Sequence, residues 1–385
     1  MSTDQSNSSA TRPHPGTRTP KSSFRKRDPK HATVDPSFPH ELDLPSAAPK
    51  VLISRMSAIG DTILTLPVAC ALRDRYPEAE ISWIVEEKSA PMVRRHVAVD
   101  RLIVLQRGWF TSLSGIRDAR AQLRELNCDV ALDCQGMTKS ALACYLSGAP
   151  HRIGYEGKHA RELSRFLTNV KVKPVFHHLT DRSLELLIPL GIHSPAVRWD
   201  LPVEGPAKAW AERYRRTIPS SKLAIMNPGA TWHSKRWLPE RFGATASYLR
   251  DRYGYTTVAV WGNALDRAMA SDIVSTSNGA AILAPETDLQ HLAAMIETAD
   301  LFVSNDTGPL HLAVAVGTRT IGLYGATKPG DSGPYGQTAI QLEYEAGTAR
   351  QRRSASNAAM CAIGVEHVCR AIDEAEAPSR MLMAA

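Results

Sequence analysis

The chain predicts an α/β protein: two doubly wound, open parallel-sheet domains facing each other across a cleft. Three observations carry this expectation. Apolar runs of strand length alternate with helix-period segments from Lys50 onward. A stretch holding Pro195, Pro202, Gly205 and Pro206 interrupts the series once, as an interdomain linker does. The 385 residues, 43% of them hydrophobic, suffice for two domain-sized cores. Domain boundaries follow: a leader at 1–48, an N-terminal domain at 49–200, a second domain at 201–345, and a polar loop with a C-terminal helix at 346–385.

The leader is rich in Ser, Thr and Pro and carries Lys21, Arg25, Lys26, Arg27 and Lys30. So few apolar residues cannot form a core, and disorder is expected. The basic run is either a solvated leader with no single partner or an attraction to anionic lipid or nucleic acid. Order is expected from Lys50. Residues 51–55 read as a buried strand running into Met56-Ser57-Ala58-Ile59-Gly60-Asp61-Thr62 and a helix. This strand, Gly loop and helix open a doubly wound domain. The loop has neither GxGxxG nor GxxxxGK[ST], which argues against a nicotinamide-dependent oxidoreductase and a P-loop enzyme. Residues 80–85, 101–105 and 128–133 are further strands, with a helix through Ile116, Ala119, Leu123 and Leu126. Residues 139–165 are basic and broken by Gly148, Gly154 and Gly157. They are expected as loops, forming either a solvated surface or a site for an acidic substrate. A helix near 181–190 closes the domain.

The second series has strands at 223–227, 256–261, 281–284, 301–303 and 319–324, helices after Pro239 and at 289–298, and a last helix near 364–375. Residues 345–356 are polar and expected as a loop. Ligands in such sheets gather at the carboxyl ends of strands. That rule draws attention to Ser57, Gly60, Asp61 and Asp133-Cys134-Gln135-Gly136 in one domain. In the other it selects Asn227-Pro228-Gly229-Ala230-Thr231 and Ser304-Asn305-Asp306-Thr307-Gly308-Pro309-Leu310-His311. In the last stretch Gly308 permits close backbone approach and Pro309 suits a first helical turn. The free N–H groups of that helix start form an anion site, or the stretch is an ordinary turn capped by Asp306 or Thr307. Asp61 is likewise either a cap or a general base taking a proton from an attacking hydroxyl. Lys235 and Thr231 suit a phosphate, with Lys235 stabilising charge on a departing diphosphate. His311 either orients a phosphate or sugar or is simply packed.

No apolar run reaches membrane-spanning length, and the N-terminus has no signal-peptide pattern. The six cysteines form no CxxC pair and complete no zinc pattern. Cys70, Cys128 and Cys144 lie in apolar segments and are expected as buried free thiols, which fits a cytoplasmic protein. No Asp-x-Asp motif suggests a metal-held nucleotide.

Taken together, these residues resemble the bacterial lipopolysaccharide heptosyltransferases, glycosyltransferase family 9. The resemblance runs through Ser57-Ala58-Ile59-Gly60-Asp61-Thr62, Asp133-Cys134-Gln135-Gly136-Met137-Thr138-Lys139, Asn227-Pro228-Gly229-Ala230-Thr231 with Lys235-Arg236-Trp237, and Asp306-Thr307-Gly308-Pro309-Leu310-His311-Leu312. It continues in Leu323-Tyr324-Gly325-Ala326-Thr327 and Gly333-Pro334-Tyr335-Gly336. It implies a GT-B fold and metal-independent, inverting transfer from a nucleotide-diphosphate sugar, typically ADP-heptose, to an anionic glycolipid of the lipopolysaccharide core. The nucleotide-sugar is then a substrate, and no cofactor is expected. By the same resemblance Asp61 is the base, and Thr231, Lys235, Asp306, Thr307, Gly308 and His311 are donor-binding. Asn263 and Asp266 compete for the nucleotide ribose, Asp266 having the carboxylate, and Glu286 for the adenine amino group. Ser57, Gly60, Lys139 and Arg161 fall on the acceptor side, Lys139 and Arg161 facing a Kdo carboxylate or lipid A phosphate. A cytoplasmic monomer follows, with room for peripheral contact at the inner face of the cytoplasmic membrane and no role for nucleic acid. The competing reading is a non-catalytic nucleotide-sugar or polyanion-binding protein of the same fold.

Overall fold

The computed structural model describes residues 41–44 and 47–377. The basic run of the leader lies outside the described residues. Order begins earlier than Lys50: Leu42 donates its N–H to Pro189 O at 2.7 Å, and Leu42 and Leu44 pack against the first core.

The first sheet holds β1 (Lys50–Ser54), β2 (Glu80–Glu86), β3 (Arg101–Leu105), β4 (Val130–Asp133), β5 (His151–Tyr155) and β6 (Val170–Val172). Its order is β3-β2-β1-β4-β5-β6, with every pair parallel. The second sheet holds β7 (Lys222–Asn227), β8 (Tyr255–Ala259), β9 (Ala281–Leu283), β10 (Leu301–Asn305), β11 (Thr320–Leu323) and β12 (Thr338–Ile340). Its order is β12-β11-β10-β7-β8-β9, again all parallel. Counted within its own domain, the second sheet repeats the order of the first. Strand order therefore reverses twice, between β1 and β4 and between β7 and β10. Those are the points where a doubly wound sheet leaves a crevice at its carboxyl edge. Ser54 pairs with Asp133 at one, and Asn227 with Ser304 at the other.

Buried β-branched and aliphatic residues cover both faces of each sheet, as parallel strands require. Val51, Ile53, Ile81, Trp83, Val130 and Leu132 form one face of the first core. Leu52, Ile84, Ala131, Leu123 and Cys144 form the other. The second sheet is covered by Met226, Phe242, Ala259 and Ile321 on one side. The C-terminal helix Val365–Glu376 joins that side through Val368 and Ile372. The last cluster crosses the domain boundary: Ile63 and Met92 from the first domain pack with Ile225, Phe302, Leu310 and Leu312 of the second. An apolar seam thus joins the domains beneath the crevice.

Three segments differ from expectation. Residues 139–165 are not loops: they hold the helix Thr138–Ser147 and β5. Ala141, Ala143, Cys144 and Leu146 bury one side of that helix, and Gly148 ends it in the left-handed region at φ 77°. The basic residues had obscured a short apolar stripe. Edge strands β6 and β12 are three residues each, too short for a periodic signal. In the polar stretch 345–356, Thr348 caps the helix Ala349–Ser354. The free thiols of Cys70, Cys128, Cys134 and Cys144 are buried, and burial pushes the Cys70 and Cys128 thiols up to about 12.

Candidate active site

The helix Ile59–Arg75 leaves the first crevice and the helix Gly308–Ala315 leaves the second. Their first turns meet. A Cβ placed on Gly60 would lie 2.5 Å from His311 Cδ2 and 3.4 Å from Gly308 Cα, and one on Gly308 would lie 3.7 Å from the Gly60 nitrogen. The approach requires glycine at position 60, whereas a Cβ on Gly308 would make ordinary contact, 3.4 Å from Ile59 Cγ2.

Asp61 sits in the first turn of its helix, where a carboxylate is favoured. Arg55 Nη2 holds its Oδ2 at 2.5 Å, while the Asp61 side chain stays 42% exposed. Arg55 itself is 4% exposed and donates Nη1 to Cys134 O at 2.7 Å. A buried, anchored guanidinium thus aims an accessible carboxylate. Beside it, Gln135 Oε1 accepts from Met56 N at 3.0 Å, and Lys139 Nζ donates to Ser57 Oγ at 3.0 Å. Lys139 also pairs with Glu86. Behind them the fully buried Asp133 accepts N–H groups from Gln135 at 3.1 Å and Gly136 at 2.9 Å. Burial raises the Asp133 carboxyl despite Ser140, those N–H groups and Arg55. Arg161 is exposed; its backbone N–H donates to Gly136 O at 2.9 Å, so it stands on the same rim, beyond Gln135.

In the second crevice Asp306 is the hub. Its Oδ2 accepts Lys235 Nζ and Thr327 Oγ1, each at 2.5 Å, and its Oδ1 lies 3.8 Å from His311 Nε2. Burial pushes the Asp306 carboxyl upward, but Lys235, His311 and Thr327 outweigh it and hold it below the usual range. Burial lowers the His311 imidazole against the pull of Asp306 and Asp61. His311 is therefore packed and still placed within the field of both carboxylates. Lys235 lies 4.6 Å over the Trp232 ring. Thr307 is the N-cap residue of its helix and makes no side-chain cap bond; Pro309 has no N–H and Leu310 N–H donates to Thr307 O at 3.1 Å, so in the first turn it is the Gly308 N–H that faces a ligand.

A cavity of about 900 Å³ opens beside this cluster. Thr231, Asp266 and Thr307 line it with Gly229, Trp261 and Asn263, and the first domain adds Pro91 and Arg94. Its size suits a nucleotide-sugar. Asp266 reaches Gly229 so closely that a Cβ there would lie 2.7 Å from the carboxyl carbon. Asn263 Nδ2 donates to Asp266 Oδ2 at 2.7 Å, and Asn263 Oδ1 caps the helix. Both candidates thus sit together, Asn263 as orienter and Asp266 as carboxylate. Burial raises the Asp266 carboxyl, opposed by Arg236 and the Gly262 N–H. Glu286 is exposed and outside the wall. Lys235 and Asp306 are also not part of the wall; they neutralise each other next to it.

The structure therefore gathers Asp61, Gly60, Gly308, His311, Asp306 and Lys235 at one interdomain contact, with Ser57 and Lys139 in the first domain and Thr231, Asp266 and Thr307 along the cavity. Arg55 and Glu86 were not singled out from the sequence, and Asp133 and Thr327 were placed in motifs without a role of their own. Arg55 ends an otherwise apolar run, and a charge there is the signal that could have found it. Thr327 acts across 21 residues on Asp306, which no local pattern announces.

The arrangement defines a class: a two-domain GT-B enzyme with a nucleotide-sized cavity on one domain and an accessible carboxylate on the other. Solved structures agree in fold. A glycosyltransferase family 9 protein from Veillonella parvula DSM 2008 superposes with TM-score 0.70 at 23% identity, covering 86% of this chain and 99% of that one. The E. coli heptosyltransferase WaaC with ADP-2-deoxy-2-fluoro heptose gives TM-score 0.65 at 24% identity, covering 84% and 99%. The family model of glycosyltransferase family 9 (heptosyltransferase) matches residues 116–360. The chain belongs to that family and is a glycosyltransferase. Among curated relatives, lipopolysaccharide heptosyltransferase 1 of Pseudomonas aeruginosa is 29% identical over 303 residues, 76% of this chain and 83% of its own length. Lipopolysaccharide heptosyltransferase 1 of E. coli strain K12 is 28% identical over 300 residues, 75% and 91% respectively.

Proposed function

We propose that the protein transfers a heptose from ADP-heptose, with inversion and without a metal ion, to the lipopolysaccharide core or a similar anionic glycolipid. The observation that carries this reading is the accessible Asp61 carboxylate, held by Arg55, across the Gly60–Gly308 contact from the helix N-terminus beside the cavity. The acceptor hydroxyl gives its proton to Asp61 as its oxygen bonds to the anomeric carbon. The bond from that carbon to the diphosphate breaks, and its electron pair leaves on the diphosphate oxygen. The N–H groups at Thr307 and Gly308, with Lys235, stabilise that charge. These donors supply the positive charge for which other transferases use a metal ion. Thr231 and Asp266 belong to the nucleotide. Ser57, Lys139 and Arg161 receive the acceptor, Lys139 with its charge already balanced by Glu86. The relatives' names support heptose and a lipopolysaccharide acceptor for those proteins, and the liganded E. coli structure supports an ADP-linked donor for that enzyme.

The test is Asp61→Ala. ADP binding measured by calorimetry should be retained, while transfer to a lipopolysaccharide-core acceptor in EDTA falls by about 10²–10⁴-fold. Undiminished turnover by the variant would remove Asp61 as the base. Loss of wild-type turnover in EDTA, restored by a divalent ion, would remove metal independence.

A further inference from the structure

Residues 158–173 of the first domain carry, next to the acceptor-side Arg161, a surface that the reaction does not use. The short helix Ser164–Leu167 follows Leu163. Leu163 is 58% exposed and Phe166 69% exposed. Phe166 N donates to Leu163 O at 3.0 Å, so the two side chains, three residues apart, leave the turn on one side. Single exposed apolar side chains are ordinary, and these two, together on one turn, make a small patch open to a partner.

The surroundings say which kind. The segment contains Lys158, Arg161, Arg165, Lys171 and Lys173 against a single carboxylate, Glu162. Glu162 is turned to internal use, accepting the Thr138 N–H at 3.2 Å. Lys171 is internal too, donating to Thr168 O at 2.7 Å. Lys158, Arg161, Arg165 and Lys173 are exposed, and the Arg165 guanidinium lies 4.6 Å over the Phe166 ring. Apolar side chains ringed by cations match the boundary between headgroups and acyl chains of an anionic bilayer. The surface is also continuous with the acceptor side of the site. Arg161 N is bonded to Gly136 O at 2.9 Å, and Leu163 N to Thr138 Oγ1 at 3.2 Å. Gly136 lies so close to this loop that a Cβ there would be 2.1 Å from His159 O.

We propose that this patch seats the protein on an anionic bilayer, Leu163 and Phe166 entering the interface while Lys158 and Arg165 face lipid phosphates. The proposal rests on the reading that the acceptor is a glycolipid, and it gives that acceptor a direction of entry past Gly136. Two apolar side chains with a few cations give weak, reversible attachment, which lets the enzyme move between acceptors.

The test is co-sedimentation of the full chain with vesicles of phosphatidylcholine alone or with added phosphatidylglycerol. Wild-type protein should bind the anionic vesicles, and the double variant Leu163→Ser, Phe166→Ser should bind them about tenfold or more weakly. Arg165→Glu should lose binding to the anionic vesicles and leave the neutral ones unaffected. Thermal unfolding should be unchanged in both, since the altered side chains are exposed. Anionic vesicles should also slow hydrogen exchange across 158–173 in the wild type. Transfer to a water-soluble, delipidated acceptor should be unchanged in the double variant, so failure of the patch and failure of the glycolipid reading are distinguishable. Unaltered vesicle binding by both variants would assign attachment elsewhere, the basic leader included, and overturn the proposal. So would a concentration-dependent dimer that the double variant abolishes, since the patch would then cover a second copy.

Discussion

Gly60→Ala tests the domain contact with a single carbon. The added Cβ would lie 2.5 Å from His311 Cδ2 and 3.4 Å from both His311 Nε2 and Gly308 Cα. Carbon atoms rest about 3.5–4.0 Å apart, so roughly 1 Å must be found. His311 cannot supply it: the ring is 4% exposed and packed against Asp306. Forcing a methyl into a filled site costs about 1–3 kcal/mol. Neither sheet need bear that cost, because parting the two helix starts relieves the overlap. The loss therefore falls on domain closure. A misplacement of about 1 Å between donor and base lowers the rate about 100-fold, equivalent to about 2.7 kcal/mol in the barrier. Initial rates over a range of donor concentrations should show that fall in kcat/KM, while calorimetry still detects ADP binding. Wild-type kcat/KM in Gly60→Ala would refute the reasoning, because the Gly60–Gly308 contact would then not belong to the productive enzyme.

Two further outcomes follow from the second crevice and the seam. Lys235→Ala should weaken ADP binding by calorimetry. It should also destabilise the fold by about 3–5 kcal/mol, since Asp306 loses its buried partner. Adding Asp306→Asn should recover much of the stability but not the affinity; unchanged ADP affinity in Lys235→Ala would remove the lysine from the site. His178 crosses the seam, its Nε2 donating to Gly333 O at 3.1 Å and its Nδ1 accepting Thr180 N–H at 3.2 Å. Burial lowers its imidazole to about 4 from 6.5, against the Gly333 carbonyl. The unfolded chain therefore takes up a proton that the folded chain refuses. Stability should fall as pH drops from about 6.5 to about 4, by up to roughly 3 kcal/mol at about 1.4 kcal/mol per unit. Denaturation curves of His178→Gln across that range should lack this increment, and parallel curves for wild type and variant would contradict it.

Much of this was legible in the sequence because parallel strands buried on both faces leave long apolar signals. β1, β2, β3, β4, β7 and β10 stand within a residue or two of where their apolar runs place them. The crevice residues stood out because Gly, Asp and Thr fall together where a strand end meets a helix start, at the carboxyl edge of each sheet. β5 was hidden, since His151 and Arg152 occupy its first positions and are only half-buried. The pairing of Lys235 with Asp306 was not legible at all: 71 residues separate them, and only the β7–β10 register brings them together. Nor does any local pattern reveal that Lys139 is balanced by Glu86, 53 residues earlier.

The close approach of two helix starts has an electrostatic consequence. Each N-terminus carries about half a positive charge, so Gly60 and Gly308 bring like poles together. The apolar seam of Ile63 and Leu310 below them holds regardless of charge, but the rim above is self-repelling unless anions lie in it. Asp61 and Asp306 supply two, and both are compensated, one by Arg55 and the other by Lys235. On the proposed function, a diphosphate bound at the Gly308 start would be a counter-ion to both helix starts at once.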